Sequence, residues 1–193
     1  MGRHINVSYN FNCLQSERGI IFYIHIIYKL MSLSTQTLLN GFVSRTNAFL
    51  HKYNIDHNYL FSQKHIVKYS ELLETSDWGN WNEFIENHKS IGKTYKTYTI
   101  YKHPQKKYEI KLIEWNGHTS FINKFINRGY FIKVLTGSLT NERYILTDNG
   151  LIKTKTKSYT EPREICYNHE QLGFHKLISE PDTYSIHIYF PSI

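Results

Sequence analysis

The chain has 193 residues, a formal net charge of +7, 16 tyrosines, 11 phenylalanines and a single alanine, Ala48. That length supports one hydrophobic core without staples. Two distant cysteines, Cys13 and Cys166, with no CxxC pair exclude a zinc ribbon, a thioredoxin-like site and a disulfide scaffold, and point to a reducing compartment. The lysines are scattered among abundant Asn, Ile and Tyr, which reads as an AT-rich coding sequence (a virus, protist or parasite) before it reads as a nucleic-acid surface. The expected location is intracellular, in cytoplasm or associated with a virus.

Residues 1–30 stand apart as an N-terminal extension. The stretch "GIIFYIHIIYKL" (19–30) is apolar, but short of the roughly 20 residues that span a bilayer, so no transmembrane segment is expected. Arg18 before it fits a signal peptide, yet no small-x-small cleavage site follows. Met31 is an alternative start; otherwise the stretch reads as an extra buried strand. From Ser32 the pattern turns helical: Leu38, Leu39, Phe42, Val43, Phe49 and Leu50 suit one helix face, with Ser34 or Thr35 as the cap. "KYSELLETS" and "NWNEFIENH" predict two shorter helices, which makes 31–95 a helical portion.

After Lys96 the chain reads as strands. "KTYTIYK" alternates, and "KYEIKLIEW" (107–115) sets Tyr108, Ile110 and Leu112 against Glu109 and Lys111. "GYFIKVLTGSL" is a more fully apolar strand. "ERYILTDNGLIKTKTK" predicts a hairpin about "DNG"; "REICYN", "GFHKLIS" and "YSIHIYF" follow. Helices first and many short strands after them predict a mainly β fold, a jelly-roll β-barrel (96–193) preceded by N-terminal α-helices and forming one domain with them.

Four groups of residues bear on chemistry. His175 in "GFHKL" is a ligand candidate or a packed core histidine. In "YSIHIYFP", strand periodicity puts Ser185, His187 and Tyr189 on one face, opposite Ile186 and Ile188. Such a row is a hydrogen-bond relay in which Ser fixes the His tautomer and His orients the phenol; the bland reading is the polar outer face of an edge strand. Lys153, Lys155 and Lys157 alternate with Thr154 and Thr156, which fits an anionic partner or, more simply, lysine protection of an edge strand. His118 and His169 are the remaining histidines near these motifs.

The order of these motifs resembles the cysteine dioxygenases, thiol-oxidising cupins, over roughly residues 71–193. Trp115, Gly117, Lys133 and Gly137 stand where that family's first block has Trp, Gly, Lys and Gly; Gly173-Phe174-His175 matches its Gly-x-His; and Ser185, His187, Tyr189 and Pro191 match its C-terminal signature. The resemblance implies a cupin barrel and an Fe(II) site of three histidines. Two of those positions hold Asn123 and Phe125, with Lys124 between, leaving His175 as the remnant ligand. The substrate-carboxylate arginine falls on Ile100, and a tyrosine-linked cysteine found in some members falls near Tyr130. One imidazole with a neutral amide holds Fe(II) poorly, and Phe125 brings no lone pair. Rescue by His118 would require a loop that returns it to the site. The expectation is therefore a catalytically inactive cysteine-dioxygenase-like cupin acting in binding, assembly or structure, with no cofactor and with an unidentified protein partner or self-association. The alternative is an active iron-dependent thiol dioxygenase with a rearranged metal site that oxidises a small thiol to a sulfinate. A basic, nucleic-acid-associated protein is a third reading.

Overall fold

The computed structural model describes residues 17–55, 61–89, 91, 95–124, 129–160 and 164–190, with the backbone alone for 17–34, 124 and 170. Three helices come first: α1 (Glu17–Lys52), α2 (Gln63–Glu74) and α3 (Asn82–Asn87). Nine strands follow: β1 (Lys96–Lys102), β2 (Glu109–Glu114), β3 (Asn123–Lys124), β4 (Gly129–Thr136), β5 (Leu139–Thr147), β6 (Gly150–Tyr159), β7 (Ile165–Asn168), β8 (Phe174–Ser179) and β9 (Tyr184–Phe190).

The helical region departs from the sequence reading at its start. Residues 19–30 continue α1 and form no strand. Their run is apolar on every side, so periodicity alone does not separate strand from buried helix. Thr35 therefore lies inside α1, buried against Gly79, and caps nothing. Ser62 caps α2 instead: its side chain accepts the His65 amide.

The strands form two antiparallel sheets, one in the order β1-β2-β9-β4-β7 and the other β3-β8-β5-β6. The pairs nest: β5 with β6, β4 with β7, β3 with β8, and β2 with β9. A long hairpin wound on itself gives this pattern, and it is the jelly roll. The first sheet separates two cores. On its outer face Phe131, Ile186, Ile188 and Phe190 pack with Phe42, Tyr69 and Leu73 from the helices. On its inner face Ile113, Trp115, Tyr130 and Ile132 pack across the barrel with Leu139 and Leu177 of the second sheet.

Several motif residues prove to be structural. Gly137 (φ +80°) lies against Thr183, and Gly173 (φ +86°) lies against the Tyr144 carbonyl, so a β-carbon at either would be strained and would clash. Ile100, at a bulge in β1, points into the helix-facing core, away from the barrel interior. The lysine row also changes. β6 is an edge strand, but a bulge sets Arg143 opposite Lys155 and Tyr144 opposite Lys153. Cross-strand partners share a face, so Lys153 turns to the face of Glu142, 2.8 Å away, and not to that of Lys155 and Lys157.

Lys133 ties the helices to the barrel. Its ammonium, 5% exposed, donates to the carbonyls of Leu73 (3.0 Å), Glu74 (2.9 Å) and Ser76 (3.0 Å) at the end of α2. Of these, the Leu73 carbonyl also accepts the Ser76 amide at 3.3 Å, and a cation complements the negative end of the helix dipole. Burial lowers the lysine pKa, while Glu74 and Asp77 oppose that shift. Lys133→Met removes the lysine donor from the Glu74 and Ser76 carbonyls and leaves Leu73 with the Ser76 amide alone, and urea unfolding should show a loss of about 2 kcal/mol; a loss under about 0.5 kcal/mol would contradict this role.

Candidate functional site in the barrel interior

β9 is the middle strand of the first sheet, not an edge, and Ser185, His187 and Tyr189 project from it into the barrel. The reading of this row as the outer face of an edge strand is thereby overturned. Trp115 Nε1 donates to Ser185 Oγ at 2.7 Å, Ser185 Oγ lies 2.9 Å from His187 Nε2, and His187 Nδ1 lies 3.2 Å from the Tyr189 hydroxyl. An indole only donates, so the serine oxygen accepts there. The contacts on either side of His187 give each ring nitrogen one hydroxyl partner, and which nitrogen carries the hydrogen sets the direction of both bonds. Trp115 thus opens the row, a role that its distance in sequence from β9 concealed.

His175 on β8 faces the same interior at 5% exposure. The Tyr130 hydroxyl from β4 lies 3.2 Å from its Nδ1 and 3.4 Å from its Nε2. Tyr130 also stacks on Tyr189, with ring centroids 5.4 Å apart and planes at 9°, and accepts a hydrogen bond from Asn168 Nδ2 at 2.9 Å. It therefore fills the space beside His175. Behind it, Asn141 Nδ2 donates to Asn168 Oδ1 at 3.0 Å, and both amides lie 3.2 Å from the buried Cys166 Sγ. Asn141, Asn168 and Cys166 escaped the sequence reading. The available signal was inward alternation in "ICYN" and "LTNER", but the contact joins β5 of one sheet to β7 of the other.

Burial dominates the electrostatics. It holds both His175 and His187 down to a pKa of about 3, reinforced by Arg143 for the first and by His175 and Lys111 for the second. It pushes the Tyr130 and Tyr189 phenols well above their usual range, and raises the Cys166 thiol. The interior at neutral pH holds neutral imidazoles and protonated phenols.

Three donors are needed to hold Fe(II). Asn123 pairs with His175 across the β3–β8 ladder, but it is exposed. Phe125 and Pro191 lie outside the described residues, as do residues 1–16 with Cys13. His118 packs against Tyr95, with ring centroids 5.6 Å apart, and His169 against Tyr167, at 5.4 Å. No cluster of three metal-binding side chains occurs among the described residues. Among the described residues the histidine donors here are one imidazole beside a phenol and a second with a partner at each nitrogen, fewer than the three protein ligands that Fe(II) takes.

No protein-family model and no curated protein sequence matches the chain. Among solved structures, KdgF from a Halomonas species overlaps it at 12% identity over 55% of this chain and 89% of that one, with a TM-score of 0.43. A cupin-2 domain protein from Shewanella frigidimarina overlaps at 14% identity, 56% and 90% coverage and a TM-score of 0.41. An RmlC-like cupin from the same organism overlaps at 13% identity, 55% and 86% coverage and a TM-score of 0.43. The jelly-roll assignment rests on the strand pairing described above, not on these overlaps.

The depressed histidines make stability depend on pH. Their folded pKa lies below the unfolded value of about 6.5, so the unfolded chain takes the protons first and stability falls as pH drops through that value toward about 3. Urea unfolding should lose up to about 2 kcal/mol per buried histidine between about pH 7 and pH 5, above the range in which carboxylates titrate. His187→Asn should flatten that slope; an unchanged slope would contradict the assignment.

Proposed function

We propose that this chain is a cysteine-dioxygenase-like cupin that has kept the barrel and given up the reaction, and that it works as a binding, assembly or structural protein. One observation carries the reading: the Tyr130 hydroxyl occupies the approach to His175, within 3.4 Å of both ring nitrogens. An imidazole so covered, opposite an exposed amide at Asn123, offers no opening for a cation with three protein ligands. The chain's partner under this reading is an unidentified protein or a second copy of the chain.

The intact row from Trp115 to Tyr189 is what favours the other reading, an active thiol dioxygenase with a rearranged metal site. Under the proposal that row is a rigid polar support: it fixes Tyr189 and satisfies buried polar groups that would otherwise cost about 1–3 kcal/mol each. Metal analysis of protein purified and then incubated anaerobically with Fe(II) decides between them. The expected result is well under one iron per chain and no oxygen uptake with cysteine or a small aminothiol. Stoichiometric iron with thiol-dependent oxygen uptake would overturn the proposal.

A further inference from the structure

Where the two sheets part, beside β1 and β2 and along the segment 118–123, a cleft of about 410 Å³ opens to solvent. That volume is in the range of small-molecule sites. Tyr95, Thr97, Thr99, Lys111, His118 and Phe121 line it. Lys111 is the link to the interior, since its ammonium sits over the Tyr189 ring, 5.0 Å from the centroid.

Glu109, 1% exposed, is the carboxylate behind the cleft, and two ammoniums attend it: Lys111 at 2.7 Å and Lys102 at 3.7 Å. Both ammoniums share the one carboxylate, and of the two only Lys111 lines the cleft. Lys111 is held from two sides, by Glu109 and by the π-face of Tyr189, so its ammonium is positioned before any ligand arrives. It has three N–H groups, and the cleft is a direction in which one can be donated. No acidic side chain lines the cleft among the described residues.

The walls suit an apolar body. Tyr95 is braced between Trp115, with centroids 5.1 Å apart, and His118, at 5.6 Å, making one aromatic wall. At the rim Phe121 is 84% exposed and Ile91 76% exposed, large apolar side chains left in water beside a concave site.

We propose that this cleft binds a small organic oxyanion, a carboxylate or phosphate carried on an aromatic or apolar body, with Lys111 as the anchoring cation. The inference rests on the reading of the chain as a binding protein. A half-buried ammonium attracts an oxyanion more strongly than one in open water, and the rim covers the apolar part.

Calorimetric titration with phenylacetate, phenyl phosphate and the neutral 2-phenylethanol tests this. At least one anion should bind saturably in the millimolar range or tighter, with the alcohol weaker by about tenfold or more. The preference between the two anions identifies carboxylate or phosphate. Lys111→Met, checked for folding by circular dichroism, should lose about tenfold or more, and Lys111→Arg should retain binding. No saturable anion binding, equal binding of the alcohol, or unchanged binding in Lys111→Met would overturn the inference. If Lys111→Met does not fold, the comparison of anions with alcohol on the unaltered chain decides. Iron content is a separate readout: a chain that loads iron and oxidises a thiol would overturn the function proposed above and, with it, the ground for this inference, and an iron-free chain that ignores both anions would overturn this one alone.

Discussion

The two-residue period of β9 is the constraint from which the rest of the structure follows. As a central strand it has to satisfy two unlike environments at once. Its even-numbered residues, Ile186, Ile188 and Phe190, meet the helices, while Ser185, His187 and Tyr189 enter the barrel. A register slip by one residue would exchange the faces, putting a histidine into an apolar core and isoleucines into a polar interior. The pairing of β9 with β2 on one side and β4 on the other removes that freedom. The same two-faced division recurs on β4, where Tyr130 and Ile132 go inward while Phe131 and Lys133 go outward.

The interior combines an apolar cluster with a set of buried polar side chains whose imidazoles, phenols and thiol are neutral. Hydrogen bonds within it are mutual: indole to serine, serine to imidazole, imidazole to phenol, amide to amide and amide to thiol. Burying such groups is tolerable because they satisfy one another. His187 has a separate hydroxyl partner at each ring nitrogen, whereas His175 faces the single hydroxyl of Tyr130. Charge is carried beside this interior by Lys111, which lines the cleft and shares Glu109 with Lys102.

How far the sequence could be read depended on whether the physics was local. β1 and β9 were legible because alternation along one strand sets both its limits and its faces, and the serine, histidine and tyrosine at every second position of β9 were visible as a row for the same reason. The start of α1 was not, since "GIIFYIHIIYKL" is apolar at every period. β3 spans two residues, too few for any pattern. The bulge that turns Lys153 away from Lys155 left no mark in "IKTKTKSY". Least legible was the Asn141, Cys166 and Asn168 cluster, whose members come from strands in different sheets and meet only when the barrel closes. Tyr130 could be placed beside the site, but its stacking on Tyr189 and its contact with His175 are tertiary facts.

The central claim is that His175 and His187 are neutral, hydrogen-bonded parts of a packed interior. Nitrogen NMR of the imidazole side chains at neutral pH, before and after anaerobic addition of Fe(II), tests it most directly. The account predicts two neutral rings, each with a fixed tautomer, whose signals neither shift nor broaden when the metal is added. Paramagnetic loss of the His175 signal at one equivalent of metal would contradict it.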